Sequence, residues 1–226
     1  PEKIAKALLE TGGKLLQIST DYVFKGDQSV PYKTKQNIAP CNFYGLSKAE
    51  GENLLRSSLT SNNQLSIVRT SWLMSPYRNN FAVNMLNLLK ERDRINVVYD
   101  QIGSPTSAQT LAIAIWKMIE VNDMFSDKKI NFPDINHFAD DGIASWYDVA
   151  VSLYEIGVIK GLIKNQTKII PIRSSDYPTP AIRPLYSVLE TQETKKLLNI
   201  SGINWRHALF KTFKVDLRLG DLGKNE

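Results

Sequence analysis

Short apolar runs alternate along the chain with longer stretches in which apolar residues return every three to four positions, and the two patterns predict different elements. Residues 14–19 form a brief apolar run closed by polar residues and predict a strand. Residues 64–70, with β-branched side chains at their centre, and residues 95–99, 135–139 and 168–172 read the same way. Helical spacing predicts a first helix whose apolar face is Ile4, Ala7, Leu8 and Leu9, ended by the permissive pair Gly12-Gly13. Further helices are predicted over residues 42–59, 80–92, 108–121 and 145–159, with shorter ones near 193–198 and 205–213. Residues 103–107 and 140–142 read as turns. Residues 25–41 and 178–184 read as loops, held open by proline and glycine. Strands alternating with helices imply βαβ units and a parallel sheet, placing the chain in the α/β class.

Composition narrows this without redirecting it. With 226 residues, 42% of them hydrophobic, the chain can bury a substantial core, and 23% charged residues without a low-complexity tract argue against disorder. No apolar run approaches the roughly 20 residues of a membrane span, and no signal-peptide pattern opens the chain. The single cysteine, Cys41, excludes an internal disulfide, so a cytoplasmic location is the default expectation. Asn165-Gln166-Thr167 matches a glycosylation sequon, which without a secretion signal reads as accidental. The net charge of +5 is spread along the chain, with clusters only as short as Lys195-Lys196, and supports no nucleic-acid-binding motif. The two histidines, His137 and His207, lie too far apart to suggest a metal site; His137, in a predicted strand, reads as a core histidine.

Candidate chemistry concentrates near the start. Tyr44 and Lys48 are four positions apart at the head of a predicted helix and share one face. An ammonium beside a phenol favours the phenolate and makes the phenol a usable acid near neutral pH. Among nine tyrosines only Tyr44 has a lysine at that offset. Taken alone, the pair also fits an ordinary surface helix, Thr20 a β-preferring residue closing a strand, Trp72 a core tryptophan, and Arg183 a solvated cation.

The surrounding motifs add more. Ser19-Thr20-Asp21-Tyr22-Val23-Phe24, Tyr44-Gly45-Leu46-Ser47-Lys48, Arg69-Thr70-Ser71-Trp72, Asn79-Asn80-Phe81, the segment from Asp100-Gln101 through Pro105-Thr106, Ser145-Trp146-Tyr147 and Arg183-Pro184 occur in that order. Together they resemble the extended short-chain dehydrogenase/reductase family, and within it the dTDP-4-dehydrorhamnose reductases. The resemblance implies a doubly wound, Rossmann-like parallel sheet with a smaller C-terminal substrate lobe. It places residues 1–74 and 104–142 in the nucleotide-binding domain and residues 75–103 and 143–226 in the lobe. It implies reduction of the 4-keto group of a dTDP-linked 4-keto-6-deoxy sugar by NADPH or NADH, for which a mildly basic surface is suited.

By the same resemblance Tyr44 donates the proton, Lys48 assists it and holds the nicotinamide ribose, and Thr20 hydrogen-bonds the sugar oxygen. Asp21, Trp72, Asn80, Gln101, Pro105, Thr106 and Arg183 match substrate-binding positions. A homodimer is allowed. Some members bind magnesium at a dimer contact, but no pattern here fixes such a site. Lys25 departs from the family, where aspartate is common, and bears on fine substrate preference.

Two alternatives stay open. A non-catalytic regulatory subunit of methionine adenosyltransferase shares the Ser19–Phe24 strand and the Tyr-x-x-x-Lys helix. A sibling nucleotide-sugar epimerase or reductase is the other, whereas a dehydratase would need a second carboxylate where Tyr22 stands. No G-x-G-x-x-G occurs in the 226 residues. Measured against the family, roughly 80–90 residues carrying that turn are expected ahead of Pro1. On this reading the chain by itself binds NAD(P)H weakly and exposes an edge and face that those residues would cover.

Overall fold

A computed structural model describes residues 1–59, 64–121, 133–164 and 166–213, so the sequon at Asn165 lies outside the described residues. The helices are α1 (Glu2–Thr11), α2 (Phe43–Ser58), α3 (Phe81–Glu91), α4 (Ala108–Val121), α5 (Trp146–Ile159), α6 (Gln192–Leu197) and α7 (Trp205–Thr212). The strands are β1 (Leu15–Thr20), β2 (Leu65–Thr70), β3 (Leu73–Met74), β4 (Arg94–Val98), β5 (Ile102–Gly103), β6 (Thr106–Ser107), β7 (Ile135–His137), β8 (Ala144–Ser145) and β9 (Lys168–Ile172). Among the described residues no helix is long and apolar enough to cross a membrane.

Contacts divide the chain into two compact units. The first comprises Pro1–Ser71, Ala112–Ala139 and Ala181–Ser201; the second comprises Trp72–Leu111, Asp140–Pro180 and Gly202–Glu226. Residues 181–201, which the resemblance places in the substrate lobe, pack with the first unit. Tyr32 and Leu189 bridge there, and Gly26 approaches Pro184 so closely that a Cβ would lie 2.3 Å from the proline Cβ. Residues 104–111, expected in the nucleotide-binding domain, belong to the second unit because β6 pairs with β3.

The first unit is built on a parallel sheet ordered β1-β2-β7, with Thr20 opposite Thr70 and Arg69 opposite His137. The central strand β2 is buried throughout, as a parallel strand covered on both faces must be. Its Leu65 and Ile67 pack with Ala5, Leu55 and Leu59. The apolar face expected for α1 is corrected: Ala5 is buried and Leu8 half-buried, whereas Ile4 and Leu9 are 55% and 50% exposed. The helix rests on α2, and the small Ala5 permits a closer approach than a stripe centred on Ile4 would allow. Its end follows the sequence, with Gly12 left-handed at φ 68° and its N–H on the Leu8 carbonyl.

In the second unit α3 and α5 pack together against the β4–β9 ladder, burying Leu86, Leu89, Val97, Leu153 and Phe213. Helix α5 starts where its sequence predicts. Ser145 Oγ accepts from the Asp148 N–H, and Asp148 Oδ2 accepts from the Ser145 N–H, a reciprocal cap.

Candidate active site

In the first unit the chemistry gathers where β1 ends. Thr20 closes the strand and caps a short 3-10 turn over Asp21–Val23, its Oγ1 accepting the Tyr22 N–H at 3.3 Å. Thr20 Oγ1 also donates to Asp21 Oδ1 at 2.9 Å. Helix α2 begins on an Asn42 cap that accepts the Gly45 N–H at 2.8 Å. Gly45 is required by proximity, since a Cβ there would lie 2.1 Å from the Tyr22 carbonyl oxygen. The missing side chain lets α2 press on the turn, and Tyr44 meets Tyr22 edge to face with ring centres 5.9 Å apart.

Tyr44 is 55% exposed. One helical turn later Lys48 donates from Nζ to the Ile18 carbonyl on β1 at 2.9 Å. A phenol and an ammonium therefore share one helix face beside the carboxyl end of a parallel strand, where ligands of open α/β sheets bind. The neighbouring phenol is a poor competitor as an acid. Burial pushes Tyr22 up to about 12, helped by the Asp21 charge and opposed by Arg183.

Asp21 is 3% exposed, and its Oδ2 has no hydrogen-bond partner among the described residues. Burial pushes its carboxyl up to about 6, partly offset by the hydroxyls of Ser187 and Thr20 and by backbone N–H groups. Arg183 is exposed, within electrostatic reach of Tyr22.

Behind Lys48 the same face of α2 continues to Glu52, a residue with no role in the sequence reading, although the 44-48-52 spacing marks it. Glu52 forms a buried ion pair with Arg69 of β2, both side chains 2% exposed, with Nη2–Oε2 at 2.6 Å and Nε–Oε1 at 3.0 Å. Ser19 Oγ also donates to Glu52. Arg69 reaches the Thr34 carbonyl and stands 3.4 Å from His137 Nε2. His137 Nδ1 lies 3.1 Å from the Tyr32 carbonyl, which fixes the Nδ1–H tautomer and leaves Nε2 facing the guanidinium as an acceptor. Burial, with the Arg69 charge, depresses His137 to about 3. The core-histidine reading is thus met by geometry. A cavity of about 700 Å³ opens on this pair, lined among others by Arg56, Asp134, Asn136 and Thr194.

These two perturbed groups predict opposite pH slopes of stability. Unfolded His137 takes up a proton below about 6.5, which the fold refuses until about 3, so its contribution is lost as pH falls. Folded Asp21 keeps a proton up to about 6 that the unfolded chain has released near 4, so its contribution is lost as pH rises. Between about pH 4 and 6 the two slopes, each about 1.4 kcal/mol per pH unit, cancel. Chemical denaturation across that range should show His137→Asn gaining stability toward acid and Asp21→Asn losing it; parallel slopes in the two variants would refute the assignment.

The second unit holds the remaining predicted residues. Trp72 has φ 46°, a left-handed backbone that a bulky residue seldom adopts, and stacks flat on Trp146 with centres 3.6 Å apart. Gly103 lies against its indole, where a Cβ would fall 2.4 Å from Cε2. Gln101, 8% exposed, accepts from Trp146 Nε1 at 3.2 Å and donates to Ser174 Oγ at 3.0 Å. Pro105 and Thr106 are buried, and the Thr106 N–H bonds the Trp72 carbonyl. Asn80 caps α3 through Oδ1, and its Nδ2 donates to the carbonyls of Ser75, Tyr77 and Arg78, so its polar atoms are engaged locally. Asn80 thus holds the start of α3 and Thr106 the backbone at Trp72, while Trp146 is the partner the sequence reading left without a role. Among the described residues no cluster of three or more metal-ligating side chains occurs.

Residues 1–217 match the family described as RmlD substrate binding domain. A dTDP-4-dehydrorhamnose reductase of Aggregatibacter actinomycetemcomitans is 37% identical over 206 residues, covering 91% of this chain and 68% of that protein. Among solved structures, a dTDP-4-dehydrorhamnose reductase of Clostridium acetobutylicum aligns with TM-score 0.81 at 35% identity, covering 94% of this chain and 69% of that one. The Bacillus anthracis enzyme of the same name, crystallised in complex with NADP, aligns with TM-score 0.81 at 33% identity over the same shares of the two chains.

Proposed function

The chain belongs to the dTDP-4-dehydrorhamnose reductase family, and from that premise we propose that it acts in dTDP-rhamnose biosynthesis, reducing the 4-keto group of dTDP-4-dehydro-L-rhamnose to dTDP-L-rhamnose with Tyr44, Lys48 and Thr20 as its catalytic residues. The observation that carries this is the pairing of an exposed Tyr44 with Lys48, anchored on the Ile18 carbonyl, on the helix that Gly45 presses against the Thr20–Val23 turn.

The residues present suit the nicotinamide-ribose end of a dinucleotide. Lys48 keeps donors beyond the one given to Ile18, and the Tyr44 hydroxyl belongs to a half-exposed side chain. The Bacillus anthracis relative carries NADP, and NADPH is the cofactor proposed here, with NADH as the alternative. A reduced nicotinamide, when bound, supplies a hydride to C4 of the sugar. Tyr44 then gives its hydroxyl proton to the C4 oxygen, turning carbonyl into alcohol, and recovers a proton from solvent. The Thr20 hydroxyl hydrogen-bonds the same oxygen and holds the ketone in line. Lys48 grips the ribose and presents a positive charge beside the developing phenolate. Trp72 is proposed as a substrate contact, and Arg183 as a forked donor set for the diphosphate. Asp21 and Gln101 are proposed as further substrate contacts.

Coupled assays of NADPH consumption and dTDP-L-rhamnose formation test the reading. Lys48→Ala is expected to lower turnover and raise the KM for NADPH together, each by about tenfold or more. Retention of both parameters would remove Lys48 from the site.

A further inference from the structure

Asp21 is the one polar side chain of the Asp21–Val23 turn that the proposed chemistry uses only loosely, yet it is almost fully enclosed. Its Oδ1 receives the Thr20 hydroxyl proton at 2.9 Å, while Oδ2, also buried, has no hydrogen-bond partner among the described residues. The carboxyl, served by the Thr20 and Ser187 hydroxyls and with Oδ2 lacking a hydrogen bond of ordinary geometry, is enclosed at a cost that protonation relieves. Other titratable groups around this turn are Tyr22 beside it, Cys41 and Tyr44 at the head of α2, and Arg183 from residues 181–201. The Thr20 hydroxyl has one proton, which it can give either to Asp21, as it does in this structure, or to a ligand.

We propose that Asp21 is a positioning residue whose protonation sets the direction of the Thr20 hydrogen bond, making Thr20 a donor to a ketone when Asp21 is neutral and an acceptor from an alcohol when Asp21 is charged. With Asp21 neutral, its O–H donates to Thr20 Oγ1 and the Thr20 proton turns outward. With Asp21 ionised, the Thr20 proton is held by Oδ1, and with the Tyr22 N–H on one lone pair only the other lone pair remains for the ligand. Protons change sides and no bond between heavy atoms is made or broken. The site therefore tells a 4-keto sugar from its 4-hydroxy product by a pH-dependent switch. This rests on the functional reading above.

Calorimetric titration of the chain with dTDP-4-dehydro-L-rhamnose and with dTDP-L-rhamnose, at about pH 5 and about pH 8, tests it. The two ligands share a nucleotide, so the charge of the diphosphate cancels in their affinity ratio. The ratio favouring the ketone should fall roughly five- to tenfold from the lower to the higher pH, the worth of one hydrogen bond. It should be independent of pH in Asp21→Asn and in Thr20→Val. A ratio flat in the unsubstituted chain, or one still moving with pH in either variant, overturns the proposal. A ¹³C titration of the Asp21 carboxyl separates the layers. Binding of neither sugar, with the carboxyl still titrating near 6, overturns the functional reading and this proposal with it. Binding of both, with the carboxyl already ionised at about pH 5, overturns the proposal alone.

Discussion

In the full-length protein Tyr44→Phe is expected to lower turnover of the 4-keto sugar by about 10²–10⁴-fold, the range for losing a positioned general acid, while leaving the fold intact. The ring keeps its edge contact with Tyr22, and the hydroxyl of a half-exposed side chain supports no core packing, so the midpoint of thermal unfolding should not move. The KM for the sugar should change little, since the proton is needed as the ketone becomes an alkoxide rather than when the sugar docks. Tyr22 offers no rescue, because burial holds its proton too firmly. Steady-state kinetics on the two proteins decide the matter. An unaltered kcat would exclude Tyr44 as the donor and with it the mechanism proposed above.

Glu52→Ala should destabilise the protein by about 3–5 kcal/mol, a large share of the roughly 5–15 kcal/mol typical of a domain. The loss follows from what remains. Arg69 would be left fully enclosed, with the Thr34 carbonyl, the His137 ring and the Phe24 ring 5.1 Å away as its surroundings. Replacing both partners, Glu52→Leu with Arg69→Met, removes the stranded charge and should recover most of the stability. Urea unfolding of the single and double variants gives the comparison. A single variant within about 1 kcal/mol of the parent would mean that Arg69 is hydrated after all.

The elements with strong periodicity were readable in the chain itself. β1, β2, α2, α3 and α5 begin and end within a residue or two of their patterns, because caps such as Asn42, Asn80 and Ser145 are local signals. The two-residue strands β3, β5, β6 and β8 were not readable, since each exists only through a partner far along the chain. The face of α1 was misplaced because hydrophobicity points to Ile4 while packing selects the smaller Ala5. At the candidate site the helix carrying Tyr44 and Lys48 lies beside the strand end that carries Thr20 and Asp21. Glu52 was legible by spacing but silent in composition, for nothing in a sequence reveals that a carboxylate will be enclosed with an arginine. Gly45 shows the same limit. Its importance lies in a carbonyl from another element that occupies the space of its absent side chain.

Trp72 and Trp146, lying parallel at 4° with Gly103 behind the first, also form a pair of chromophores close enough for their electronic transitions to couple. The second unit thus carries its own spectroscopic signature in the near ultraviolet, created by the left-handed backbone at Trp72 that lays its ring on Trp146.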